Sequence, residues 1–223
     1  MPQQLGFDLP SRPALGRDDF LVAPSNAVAV AMIGDWQNWA GRKLVLTGPA
    51  GSGKTHLTHV WSAASGATIL AAHNLADADI PALAHGSVAI EDVPSMARDT
   101  AAQTALFHLH NLVLAEGHSL LMTGNMPAPH WGLTLPDLAS RVAAAQSASL
   151  ELPDDALLSA VLVKLFADRQ LSPKADLIGY LVKRMDRSFA MARDLVAALD
   201  AASLAQKKQL TNKLAATVLD KLA

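Results

Sequence analysis

Short apolar runs alternate with longer stretches of helical period over the first two thirds of the chain, and only the helical period continues beyond. The runs at residues 43–47, 67–72, 88–91, 119–123 and 148–152 are mostly Leu, Val, Ile and Ala and are bounded by Gly, Pro or polar residues; each is a predicted strand. Between and before them, residues 26–39, 56–64 and 101–115 carry apolar positions at helical spacing, with Leu106, Leu109 and Val113 on one face of the last. Apolar strands separated by helices imply a parallel sheet covered on both faces. After Asp154 the strand signal stops, and helices are predicted at 155–169, 173–184, 189–204 and 212–222. Ser172-Pro173 and Thr211 are start signals for two of them. Residues 1–17, broken by Gly6, Pro10, Pro13 and Gly16, read as an extended tail. The predicted organisation is therefore a tail (1–17), an α/β domain (18–153) and a helical domain (154–223).

Composition narrows the classes. Hydrophobic residues make up 51% and charged residues 17% of the 223, which suits a packed chain and not a disordered one. Cysteine is absent, which excludes disulfides and thiolate metal sites. The formal charge of −2 gives no basic surplus, so direct sequence-specific DNA binding is not expected. Met1-Pro2-Gln3-Gln4 lacks the features of a secretory signal, and no apolar run is long enough to span a bilayer; a cytoplasmic protein without membrane attachment is expected. The eight histidines form no metal pattern: His108 and His110 stand two apart on a helix and point different ways.

The chemistry concentrates at Gly48-Pro49-Ala50-Gly51-Ser52-Gly53-Lys54-Thr55, which fits the phosphate-loop pattern G-x-x-x-x-G-K-[ST] without a mismatch. It follows a predicted strand and precedes a predicted helix, as the mechanism requires. Glycines let backbone N–H groups turn inward around phosphates, and the helix aims its positive end at them. Lys54 is expected to reach the outer phosphates of ADP or ATP, and the Thr55 hydroxyl to sit on Mg²⁺. Such a loop needs an acidic partner at a neighbouring strand end. The strand at 88–91 ends in Glu91, on the metal side, followed by Asp92, placed to polarise water. The strand at 119–123 ends in Thr123, with Asn125 just beyond; either is placed to sense a γ-phosphate. Arg141 follows a short helix near the sheet edge. It reads either as a surface partner of Asp137 at i+4 or as a finger that reaches a neighbouring subunit. Arg193, in a C-terminal helix, reads as a solvated residue or as a nucleotide contact from the lid.

Taken together, these segments resemble the AAA+ ATPases of the DnaA group, and within it the Hda branch. Phe20-Leu21-Val22-Ala23-Pro24-Ser25-Asn26 is similar to the adenine-side segment, Gly53-Lys54-Thr55-His56-Leu57 to the phosphate loop, Asp137-Leu138-Ala139-Ser140-Arg141 to the arginine-finger segment, and Tyr180-Leu181-Val182-Lys183-Arg184-Met185 with Leu210-Thr211 to the helical lid. The resemblance implies an AAA+ P-loop fold: a five-stranded parallel sheet flanked by helices, with a C-terminal all-α lid. It implies nucleotide contacts from Leu21, Val22, the loop, His56 and Arg193, and a finger role in trans for Arg141. Gln4-Leu5-Gly6-Phe7-Asp8-Leu9 is similar to the peptide with which that branch docks on the DNA polymerase III beta sliding clamp. Gln4 would enter a polar notch, and Leu5, Phe7 and Leu9 apolar grooves.

The implied function is regulation of replication initiation: a clamp-tethered, nucleotide-bound protein that stimulates hydrolysis of ATP held by the DnaA initiator and switches it off. Homo-oligomerisation is compatible with the family. No segment follows the lid before Ala223, which on this resemblance leaves out a DNA-binding helix-turn-helix. Two departures stand against the pattern. Glu91 occupies a metal-side place usually held by Asp, and counting without gaps from Lys183-Arg184 puts Ala190 where the lid arginine is expected, with Arg193 one turn on. Both suit a protein that holds nucleotide without rapid turnover of its own. The rival reading is an autonomous AAA+ ATPase for helicase loading or remodelling, which the Glu91-Asp92 pair motivates.

Overall fold

The computed structural model describes residues 21–206 and 209–222. The proposed tail, with Gln4, Leu5, Phe7 and Leu9, lies outside the described residues. All five expected strands form, and all are parallel: β1 (Lys43–Thr47), β2 (Thr68–Ala71), β3 (Val88–Glu91), β4 (Leu120–Gly124) and β5 (Gln146–Ser149), in the order β2-β3-β4-β1-β5. β1 lies between β4 and β5, with Lys43 opposite Leu120 and Leu44 opposite Gln146. Parallel strands end on one edge, so the loops that leave Thr47, Glu91 and Gly124 share the carboxyl side of the sheet. Open α/β sheets place their ligand sites there.

The period of two along β1 divides the core. Leu44 and Leu46 face α1 (Ala27–Gly34) and α2 (Lys54–Ser65), where they join Ala29, Ile33, Leu57 and Trp61. Val45 faces the other way, toward Leu106, Leu109 and Val113 of α4 (Thr100–Ala115) and Leu138 and Val142 of α5 (Pro136–Ala143). A short helix, α3 (Ile80–Leu83), packs beside this second layer. Full burial of each such Leu or Val removes about 1.5–3 kcal/mol of apolar exposure. Trp61 stacks on Trp39 at 5.2 Å and meets Trp36 edge-on at 6.4 Å.

The C-terminal helices α6 (Asp155–Asp168), α7 (Ala175–Val182), α8 (Phe189–Gln206) and α9 (Asn212–Leu222) enclose a separate core built on Leu158, Leu162, Phe166, Leu181, Leu195 and Leu199. Asp154 caps α6 through Leu157 N (2.7 Å), and Thr211 caps α9 through Leu214 N (3.3 Å). This is the AAA+ P-loop architecture. Among the described residues no helix is long and apolar enough to cross a membrane.

Three local expectations shift. The last strand is Gln146–Ser149, not 148–152, because an edge strand needs one buried side only: Ala148 and Leu150 point inward, while Leu152 is exposed. The first helix stops at Gly34 instead of Trp39. The chain turns so that Trp39 can bury its ring and donate Nε1–H to Met32 O (2.7 Å). The predicted helix at 173–184 occupies Ala175–Val182, with Lys174 and not Ser172 at its cap.

Candidate nucleotide site and the distal arginine

The loop leaving β1 is shaped by three glycines in the left-handed half of conformational space: Gly48 (φ 149°), Gly51 (φ 77°) and Gly53 (φ 100°). Two also permit close approach. A Cβ on Gly48 would lie 2.5 Å from Leu150 O, and one on Gly51 would lie 2.2 Å from Ser188 Cβ. The loop is therefore pressed between the end of β5 and the start of α8. Gly53 ends it as the left-handed residue before Lys54, the first residue of α2. Ser52 Oγ is buried and has no hydrogen-bond partner among the described residues. Thr55 is exposed in the first turn of α2, and His56 beside it is half-buried.

Lys54 folds back over the loop, with Nζ donating to Gly48 O (2.7 Å) and Pro49 O (2.9 Å). Burial lowers its pKa below the ordinary 10.5, and the Asp92 and Glu91 carboxylates pull it partly back up. These three groups thus share one electrostatic site at the carboxyl edge of β1 and β3.

Asp92 adopts a left-handed conformation (φ 54°, ψ 54°) that costs a non-glycine residue energy unless its neighbours hold it. They do. Asp92 N donates to Thr123 Oγ1 (3.0 Å), and Asp92 O accepts from Ser95 Oγ (2.7 Å) and Ser95 N (3.0 Å). Of the two sensor candidates, Thr123 is thus buried and occupied in fixing Asp92, while Asn125 is exposed. Behind them, Gly124 touches the Trp131 ring so closely that a Cβ would fall 2.5 Å from it. Glu91 Oε1 is buried without a hydrogen-bond partner among the described residues. A desolvated, unpaired carboxylate oxygen within electrostatic reach of Lys54 is a donor that fits a small, hard divalent cation. Among the described residues no group of three or more His, Asp or Glu forms a metal cage. A Mg²⁺ at Glu91 and Thr55 would thus need phosphate and water oxygens to complete it, which is how that ion binds at phosphate sites.

The segment that carries Leu21 and Val22 is fixed by Asn26, the last residue of the stretch that resembles the adenine-side segment. Asn26 is 2% exposed; its Nδ2 donates to Leu21 O (2.9 Å), and its Oδ1 accepts from Ala23 N (2.9 Å). Glu151 N donates to Ser25 O (3.0 Å), which ties this segment to the end of β5. Val22 keeps 63% of its surface open. From the other side the lid arrives through Phe189 N, which donates to Gly51 O (3.3 Å). Ala190 and Arg193 are both exposed on α8, three residues apart and so on one face.

Arg141 is not at this site. It is exposed in the last turn of α5, where its guanidinium lies 5.4 Å over the Phe107 ring. Its carbonyl accepts from Lys43 Nζ (2.9 Å), and Lys43 begins the strand that the phosphate loop ends. At about 3.3 Å per residue the two ends of β1 are roughly 13 Å apart along the strand. Lys43 Nζ also meets His110 Nε2 (3.3 Å), whose Nδ1 meets Asn111 Oδ1 (3.3 Å). Burial lowers the pKa of both Lys43 and His110, and Arg141 lowers both further. Among the described residues no ion pair joins Arg141 to Asp137.

No protein-family model matches the chain. Its fold is that of known AAA+ proteins. Domain III of the Thermotoga maritima replication initiation protein DnaA superimposes with a TM-score of 0.82 at 19% identity, over 96% of this chain and 98% of that one. AMPPCP-bound DnaA from Aquifex aeolicus gives 0.73 at 16% identity, over 85% of this chain and 66% of that one. The Thermotoga maritima RuvB Holliday junction branch migration motor gives 0.64 at 16% identity, over 81% and 62%.

Proposed function

We propose that this chain is an Hda-type regulator of replication initiation: it binds ADP or ATP with Mg²⁺ at residues 48–55 and acts on ATP held by the DnaA initiator. The observation that carries the reading is the separation of Arg141 from its own phosphate loop by the full length of β1. An arginine so placed lies away from its own phosphate loop and, being exposed over the Phe107 ring, is open to a phosphate brought by another molecule. Two solved structures of similar fold are of DnaA with the ATP analogue AMPPCP, which supports nucleotide at this loop. Leu21, Val22 and His56 would flank the base and Lys54 the outer phosphates. Arg193 would reach in from the lid in place of an arginine at Ala190. Glu91 and Thr55 would hold Mg²⁺, which neutralises phosphate charge when bound. On this reading the tail residues Gln4, Leu5, Phe7 and Leu9 dock on the sliding clamp, and the protein works in the cytoplasm.

The test is hydrolysis of DnaA-bound ATP with clamp loaded on DNA. Wild-type protein with ADP should accelerate it, and Arg141→Ala should lose about 10³- to 10⁵-fold of that acceleration, the range for a finger arginine. Acceleration by Arg141→Ala equal to wild type overturns the assignment.

A second reading, an autonomous ATPase, is favoured by one feature: Asp92 is rigidly held beside Glu91 and Lys54 in this chain's own site. Robust turnover by the purified protein alone, lost in Asp92→Asn, would select it over the first.

A further inference from the structure

Gln103 stands in the first turn of α4 and is fully buried, yet it is a primary amide in an apolar layer. Such a group is tolerated only when its polar atoms are partnered. Here every one is. Nε2 donates to Ala97 O (2.8 Å) and Thr134 Oγ1 (3.2 Å), and Oε1 accepts from Thr134 N (2.8 Å) and Leu135 N (3.1 Å). The amide's full capacity of two donors and two acceptor sites is used.

The partners belong to two different functional segments. Ala97 closes the turn that Asp92 opens: Asp92 O receives Ser95 N, and Pro94 O receives Ala97 N (3.2 Å). Leu135 immediately precedes Pro136, the first residue of α5, and supplies no capping side chain of its own. The start of α5 therefore takes its polar anchorage from Gln103, and the same helix carries Arg141 in its last turn. The chain of contacts runs from Thr123 through Asp92, the turn 93–97 and Gln103 to Leu135, and then along one rigid helix. Packed polar networks of this kind transmit small displacements because they have few alternative arrangements.

We propose that Gln103 is a positioning residue that couples the Asp92 turn, in the nucleotide site, to the orientation of α5 and hence of Arg141. The proposal rests on the reading of Arg141 as a group that acts on a partner's phosphate, and it adds how this chain's own nucleotide would set that group. Asp92 and Glu91 lie within electrostatic reach of Lys54, so a nucleotide bound there would press on the turn.

Hydrogen exchange of the full chain with and without Mg²⁺-ADP tests it. In wild type, ADP should slow exchange at residues 48–55 and also at 134–143. Gln103→Glu keeps the acceptor for Thr134 N and Leu135 N but gives up the donor to Ala97 O. In that variant the response at 48–55 should persist, the response at 134–143 should vanish, and stimulation of DnaA-bound ATP hydrolysis should fall about tenfold, a typical coupling effect. Thr134→Val, at an exposed position, removes one Nε2 partner without placing a new charge inside and should weaken the distant response. The coupling is overturned if 134–143 does not respond to ADP in wild type, or responds fully in either variant. Failure of wild type to stimulate DnaA would instead sink the reading of Arg141, and the exchange result would stand apart from it.

Discussion

The backbone N–H of Phe189 donates to the carbonyl of Gly51, and Ser188 packs where a side chain on Gly51 would be. The lid thus meets the phosphate loop at its most constrained residue. Gly51→Ala would add a Cβ 2.2 Å from Ser188 at a φ of 77°. It should cost about 1–3 kcal/mol for the strained backbone and weaken ADP binding, as read by chemical denaturation and calorimetry. Unchanged stability and affinity would show that the lid does not sit on this turn.

Lys54 gives nucleotide binding a pH signature. Burial holds its pKa below 10.5, and a polyphosphate would raise it. Binding should therefore take up protons at alkaline pH, between the lowered value and the higher value of the complex. Affinity should fall as pH rises through that window, because the free ammonium is lost first. Calorimetry in buffers of different ionisation enthalpy measures the uptake. The same titration with Lys54→Met should show neither the proton uptake nor tight binding.

Thr123→Val removes the acceptor of Asp92 N and leaves a strained residue less supported. Asp92 is exposed and the bond part-buried, so its loss should cost about 0.5–1.5 kcal/mol; the urea midpoint should drop, and Thr123→Ser should restore most of it. Equal stability of Val and Ser variants would mean that the hydroxyl does not hold the turn.

Deletion of residues 4–9 should abolish co-elution with the sliding clamp while leaving ADP affinity within about twofold, since an extended peptide binds through its own side chains. Clamp binding retained after the deletion would remove the tail from the proposed mechanism.

Much of this architecture was legible because its signals are local. Each strand announced itself by a short run with at least three apolar residues between breakers, and the phosphate loop by eight contiguous positions. β5 was shifted because Gln146 and Ser147 carry no apolar signal at a sheet edge, and α1 ended early because three indoles pack by tertiary contact. The tethers around the site were illegible for a related reason. Thr123 reaches Asp92 across 31 residues, and Gln103 reaches Thr134 across 31. Nothing in the local pattern distinguishes such a Gln or Thr from a surface one. Asn26 likewise carries no local sign that its amide ties Leu21 O to Ala23 N.

The two ends of β1 also give the molecule a direction. With the phosphate loop at one end and Arg141 at the other, the two groups lie on different surfaces of one copy. A pair of copies could match them only if the two strands ran in opposite directions; copies turned the same way would match them one neighbour at a time. A row of the second kind that did not close into a ring would end in one unmatched loop and one unmatched arginine.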